Sequence, residues 1–123
     1  KLSNMTDAQK YKIKSIIYNK KNKDINIKFS DNYTGIISAE LLRVESPSAE
    51  VQGHNPNEKK TILNKNKVSI TNIEKVGNYA IRIIFNDGHD TGIYSWPYLR
   101  KMAEQNTKLY KNYLKRVSKI NSI

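Results

Sequence analysis

Apolar and polar positions alternate along INIKFSD (25–31), which puts Ile25, Ile27 and Phe29 on one face. A period of two predicts a half-buried strand. The β-branched run IKSIIYN (13–19) precedes it across the polar turn KKNKD, so the pair reads as a hairpin. NYTGIIS (32–38) predicts a third short strand. AELLRV (39–44) predicts one or two helical turns with Ser38 as N-cap. The pattern then lapses through ESPSAEVQGHNPNEKKT (45–61), where two prolines, a glycine and small polar residues predict a long loop. Strand patterning resumes at KVSITNIEKV (67–76) and YAIRIIF (79–85), separated by Gly77-Asn78. Asn86-Asp87-Gly88 signals a hairpin turn and TGIYS (91–95) its return strand. Beyond Ser95 the period changes. Leu99, Met102, Ala103, Leu109, Tyr110, Tyr113, Leu114, Val117 and Ile120 recur at three and four. Most of the lysines at 101, 108, 111, 115 and 119 fall on the other side. This predicts one amphipathic helix over 96–119, capped by Ser95, with Asn106-Thr107 as its weak point.

Two stretches repeat one another. FSDNYTGIISAELL (29–42) and FNDGHDTGIYSWPYL (85–99) share Phe, Asp two residues on, Thr-Gly-Ile, Ser and Leu, with one residue inserted in the second. Two copies are too few for a solenoid. They predict an α+β domain of two pseudo-repeated ββα units, with small antiparallel sheets and a C-terminal amphipathic helix. The first copy turns its hairpin at Asn32-Tyr33 without a histidine. His89 is therefore not required by the turn's geometry.

A chain of 123 residues is one domain, here read as a domain at 13–104 with a helical extension at 105–123. Residues 1–12 are read as disordered or left over from expression. There is no cysteine, which excludes disulfides, thiolate nucleophiles and cysteine-held clusters within the chain. No apolar run approaches the roughly 20 residues of a membrane span, and the first ten residues do not resemble a secretory signal. The expectation is a cytoplasmic protein. The net charge is +11, from 22 basic and 11 acidic side chains. Nucleic acid or an anionic surface would explain it. So would AT-rich codon usage, since Lys, Asn and Ile are all abundant and only four of the 22 cations are arginine. A nucleic-acid reader favours arginine for bidentate contacts.

LRVESPSAEVQGH, VGNYA and DGHDTGIYSW, in this order, resemble the gamma-butyrobetaine hydroxylase-like N-terminal domain, also catalogued as domain of unknown function 971. The resemblance spans roughly residues 13–100. It implies a domain that, in the gamma-butyrobetaine and trimethyllysine hydroxylases, precedes an oxygenase domain and holds a structural zinc through three cysteines and a histidine. Matched in order, Ser46, Ser48 and Val51 stand at the cysteine positions and His89 at the fourth. Hydroxyls and an alkyl group are poor zinc donors, so no metal and no other cofactor is expected. No His-x-Asp iron pair is present, and the chain is not expected to be a hydroxylase. The resemblance also brings in relatives joined to Mrp-type iron–sulfur ATPases, which implies an interaction module in cluster delivery and an Mrp-type carrier as a partner.

Three functions follow as expectations. The first is a non-catalytic adaptor linked to iron–sulfur or metalloenzyme maturation. Its surface would comprise Arg43, Gly53, His54, Asn55, Asp87, Gly88, His89, Asp90 and Trp96. The second is a nucleic-acid-binding protein using its lysines. The third is an enzyme using His54 and His89. A serine triad through Ser46, Ser48 or Ser95 lacks a nucleophile elbow. Adjacent His89 and Asp90 on a strand would face opposite ways, which argues against a dyad. Asp87 is expected to bond local backbone, and Arg43 to pair with Glu40, Glu45 or Asp87.

Overall fold

The computed structural model describes residues 11–122, so most of the proposed leader lies outside the described residues. Tyr11 and Lys12, read with that leader, are already tied to the domain: Tyr11 packs on the core and the Lys12 carbonyl accepts from the Ser30 amide at 2.7 Å. The architecture is α+β. Strands β1 (Ile13–Asn19), β2 (Asp24–Phe29) and β3 (Thr34–Ser38) form one antiparallel sheet in that order. Helix α1 (Ala39–Val44) follows, then the short α2 (Ala49–Gln52) and a 3-10 turn, Pro56–Glu58. Strands β4 (Ile70–Val76), β5 (Ala80–Phe85) and β6 (Ile93–Ser95) form the second antiparallel sheet. Helices α3 (Trp96–Glu104) and α4 (Asn106–Asn121) complete the chain.

The two halves correspond in detail. Each ββα unit carries one further antiparallel strand at its start. Ile13 pairs with Phe29 and Ile70 with Phe85, and the register slips immediately afterwards in both β1 and β4. The Phe29 amide bonds the Tyr33 carbonyl, and the Phe85 amide the His89 carbonyl. Asn32 and Gly88 occupy the same positive-φ position in the two turns, at 69° and 92°. Ser38 caps α1 through the Leu41 amide and Ser95 caps α3 through the Tyr98 amide.

The halves are joined by exchange. The Arg100 side chain on α3 reaches back to Asp31 in the first hairpin turn, at 2.9 Å. Arg43 on α1 reaches forward to Asp87 in the second, at 2.7 Å. These arginines stand at matched positions, five residues beyond each capping serine. Close packing is exchanged in the same way. A Cβ on Gly35 would lie 2.8 Å from the Ala103 Cβ, and one on Gly92 would lie 2.5 Å from the Ser46 Oγ. Reciprocal contacts of this kind are those of a twofold pair. The shared core runs between the units and includes Phe29, Ile37, Leu42, Phe85, Tyr94 and Leu99.

Two expectations change. The segment 45–61 is not a plain loop, because Ser48 caps α2 and Asn55 caps the 3-10 turn. The C-terminal helix is two helices that part at Gln105, one residue before the anticipated weak point. There the Asn106 side chain leaves the helix surface and donates to the Ile36 carbonyl at 2.6 Å. Helix α4 packs on the domain through Tyr113, whose hydroxyl donates to the Ile62 carbonyl, and through Arg116 on buried Glu45. Among the described residues no helix is long and apolar enough to cross a membrane.

Candidate functional site

The end of α1, the start of α2 and the second hairpin turn converge on one imidazole. His89 Nε2 lies 2.8 Å from Ser46 Oγ, and His89 Nδ1 lies 3.1 Å from Glu50 Oε1. The same Glu50 oxygen accepts from Thr91 Oγ1 at 3.1 Å, and Thr91 Oγ1 lies 2.7 Å from Ser48 Oγ. Ser46 Oγ also accepts the Ser48 amide at 3.3 Å. A carboxylate can only accept, so Nδ1 carries the imidazole proton and Nε2 accepts from the Ser46 hydroxyl. Ser46 is fully buried and His89 is 6% exposed. Burial lowers the His89 pKa, and the Arg43 charge lowers it further, against opposing pulls from Glu50 and Asp87. The imidazole is thereby kept neutral, the form this bonding needs.

Hydroxyl, imidazole and carboxylate stand in the order of an acyl-transfer triad. The first of them is closed to substrate, because Gly92 packs directly on the Ser46 Oγ. Ser46 follows the last turn of α1 with no strand-to-helix elbow around it. The arrangement can hold three segments together. It offers no exposed nucleophile.

The zinc ligand positions of the resemblance do meet here. Ser46 bonds His89, Ser48 is joined to the same hairpin through Thr91, and Val51 is the buried residue of α2, three positions beyond Ser48. The donor set is one imidazole, two neutral hydroxyls and the Glu50 carboxylate, and the imidazole is engaged on both nitrogens. Zinc takes four thiolate, imidazole or carboxylate donors in a closed structural site. These residues do not fit it. Among the described residues no three His, Asp or Glu side chains cluster as a metal set.

Around this centre, Asp87 accepts from Arg43 at 2.7 Å, from Lys65 at 2.8 Å and from the His89 amide at 3.0 Å. Burial would raise its pKa, but these three bonds together hold the carboxyl well below the usual range. Tyr94 is buried and donates to the Leu42 carbonyl at 2.5 Å, and burial drives its pKa up. Tyr98, bonded to the Glu45 carbonyl, is pushed up to about 12 by burial and by the Glu45 charge.

The remaining sequence candidates divide. Gly88 and Asp90 are exposed at the hairpin tip, where Arg82 holds the Asp90 carbonyl at 3.0 Å. His89 and Asp90 lie in the loop between β5 and β6, not on a strand, and the first is buried where the second is exposed. Gly53, with φ of 69°, closes α2, and His54 and Asn55 lie on the exposed loop beyond it. With Gln52 and Pro56 these three border a small cavity of about 300 Å³ that His89 does not line. The two histidines are thus not a pair: one is buried under the hairpin and the other lies on the loop surface. Trp96 corrects the surface assignment. It is 5% exposed and its indole donates to the Asn78 carbonyl at 2.7 Å, so it belongs to the core. His89 and Arg43 likewise lie beneath the hairpin, since their side chains are needed to hold it. Sequence reasoning did not find Glu50 or Thr91, and it offered Glu45 to Arg43, whereas Glu45 is held by Lys59 and Arg116. Glu50 had a signal in retrospect, as the first-turn acid two residues after a capping serine.

Against known proteins, two solution structures determined by NMR are similar. One is 38% identical with a TM-score of 0.80, covering 95% of this chain and 87% of its own. The other is 34% identical with a TM-score of 0.75, covering 89% and 86%. A crystal structure of a protein from Acidithiobacillus ferrooxidans, described as of unknown function and belonging to the domain of unknown function 971 family, is 29% identical with a TM-score of 0.65. It is covered over 96% of its length, against 77% of this chain. No curated protein matches. Residues 16–100 match the family model described as gamma-butyrobetaine hydroxylase-like, N-terminal, and the chain belongs to that family.

Proposed function

We propose that this chain is a non-catalytic protein-interaction module of the cytoplasm, in which a hydrogen-bonded network has replaced the metal site of the hydroxylase relatives. The observation that carries this is the Ser46–His89–Glu50 line, complete in its bonds and closed at Ser46. It ties α1, α2 and the second hairpin together, the task a structural metal would perform, and leaves the hairpin tip and the loop at 53–55 outside. Gly88, Asp90, His54 and Asn55 form the contact surface in this reading, with Arg43, Asp87 and His89 as its support. Family resemblance favours a partner in iron–sulfur or metalloenzyme maturation, such as an Mrp-type carrier.

The test is affinity purification with mass spectrometry, comparing the native chain with Asp90→Lys and with a His54→Ala, Asn55→Ala double variant. These positions are exposed, so the fold is retained. Loss of a partner that the native chain holds through moderate salt is the expected result. Equal recovery by all three would sink the reading. The net charge of +11 supports a second reading, nucleic-acid binding. That reading requires affinity for duplex or single strand that falls steeply with salt.

A further inference from the structure

The distribution of cations separates into two kinds. All four arginines are engaged with the chain's own carboxylates: Arg43 with Asp87, Arg82 with Glu74, Arg100 with Asp31 and Arg116 with Glu45. The outward cations are lysines, and on α4 they are ordered. This helix of 16 residues contains no carboxylate. Lys108, Lys111, Lys115 and Lys119 are all exposed, and no ion pair engages them among the described residues. At 3.6 residues per turn, steps of three, four and four keep the four within an arc of about 80°. The rise places neighbours about 4.5–6 Å apart along the axis. Asn112 and Ser118 lie beside them on the same face. At its start the ridge borders a cavity of about 670 Å³ in the bend between α3 and α4, lined by Gln105, Thr107, Lys108, Lys111 and Lys115 among others. On its other flank stands Leu114, 46% exposed.

We propose that this ridge is a second interaction surface and that it receives an acidic amphipathic helix of a partner protein. A helix with Glu or Asp at three- and four-residue spacing repeats its charges at the same interval as the lysines, so pairs form in register along several turns. Leu114 offers the apolar contact that such a helix uses at the edge of its acidic face. Nucleic acid fits less well. Arginine forks onto phosphate with two parallel bonds where lysine offers only a point charge, and here each arginine is already held by a carboxylate. An exposed leucine beside the ridge has no role on a phosphate backbone. The proposal shares with the preceding section only the idea of a protein partner, and it uses a different face of the molecule.

The probe is a fluorescein-labelled synthetic helix of about five turns, with glutamates in that register and leucines at one edge, titrated by anisotropy with the full chain. Controls are a peptide of equal composition in scrambled order, a duplex DNA, a single-stranded RNA and phosphatidylserine vesicles. The ordered helix should bind roughly tenfold more tightly than the scrambled peptide. Lys111→Gln, Lys115→Gln, Lys119→Gln together should weaken it roughly tenfold, and Leu114→Ser roughly threefold, with thermal melts unchanged. Asp90→Lys, at the hairpin, should leave this binding intact, so failure here is distinct from failure of the hairpin surface. Equal binding of the scrambled peptide would reduce the ridge to bulk charge and overturn the proposal. So would undiminished binding by the triple variant, or tighter lysine-dependent binding of the DNA, the RNA or the vesicles.

Discussion

The imidazole of His89 has one proton, and both of its neighbours depend on where that proton sits. Glu50 takes the Nδ1 hydrogen and Ser46 gives its own to Nε2. A second proton would break the bond with Ser46 in a fully buried place beside the Arg43 guanidinium. The folded pKa is accordingly below the 6.5 of an unfolded histidine. Between those two values the unfolded chain binds the extra proton and the folded chain does not. Stability from this group is therefore complete above about pH 6.5 and falls as pH drops toward the folded value. Melting midpoints across pH 7.5–5 should show this decline in the native chain and a flatter profile in His89→Gln. Asp31 and Asp87, whose folded values are depressed, give a separate loss only as pH falls below the ordinary 3.8. A parallel slope in the His89→Gln variant would show that the imidazole does not titrate with folding. The same residues allow a second test. Ser46→Cys, Ser48→Cys, Val51→Cys would supply three thiolates beside His89, and the triple variant should bind about one zinc per chain by metal analysis. The native chain should bind none at stoichiometry, and a zinc-loaded native protein would refute the account of the donor set.

Between elements the exchange of arginines gives each helix a hold on the other half's hairpin. Arg100 is nearly buried, lies 4.2 Å from the centre of the Tyr33 ring and bonds both Asp31 and Glu104. Arg100→Ala leaves Asp31 without its cation, keeping only the Tyr33 amide at 3.2 Å, and should cost about 2–3 kcal/mol in denaturant unfolding. Arg43→Ala should cost a similar amount, although Lys65 stays on Asp87. The strand-to-helix approach at Gly35 is a sharper probe. Gly35→Ala drives a methyl to 2.8 Å of the Ala103 Cβ and should cost about 1–3 kcal/mol. Adding Ala103→Gly removes the opposing carbon and should recover most of it; absence of recovery would mean that strain arises elsewhere. This level was partly legible in the sequence. The repeat of Phe, Asp, Thr-Gly-Ile and Ser revealed two like units, because each residue serves the same local purpose twice: core, turn, edge strand and cap. The matched bulges and the exchanged arginines were not legible, since neither leaves a mark within one copy. Helix α2 was overlooked because one turn is too short to show a period. The histidine stood out because Tyr33 fills its place in the other half and because it matches a ligand position of the resemblance, while its partner Glu50 lay in a segment read as loop.

At the scale of the whole molecule, two units of about 60 residues each would be marginal alone, because a chain that short buries only about 60% of its unfolded surface. Their helices remedy this by crossing. Ala103 of α3 sits on Gly35 in β3, and Ser46 after α1 sits on Gly92 just before β6, so each half closes a surface of the other. Helix α4 then returns to the first half, where Arg116 and Lys59 both bond the buried Glu45 carboxylate at 2.6 Å. Cutting the chain between Asn66 and Lys67, in the connection between the sheets, separates the halves without breaking a strand. Each fragment then loses its arginine clasp, its close-packed helix and half of the shared core. We expect each fragment at low concentration to give an unfolded circular dichroism spectrum with no cooperative melt. Mixing the two should restore both, with a midpoint that rises with concentration because the junction is now bimolecular. A fragment that melts cooperatively as a monomer would show that its half closes its own core. The exchanged contacts would then be an ornament of the fold rather than its basis. A fragment that folds only as a homodimer would instead support the exchange, since the first half's Arg43 could engage Asp31 of a second copy as it engages Asp87 here.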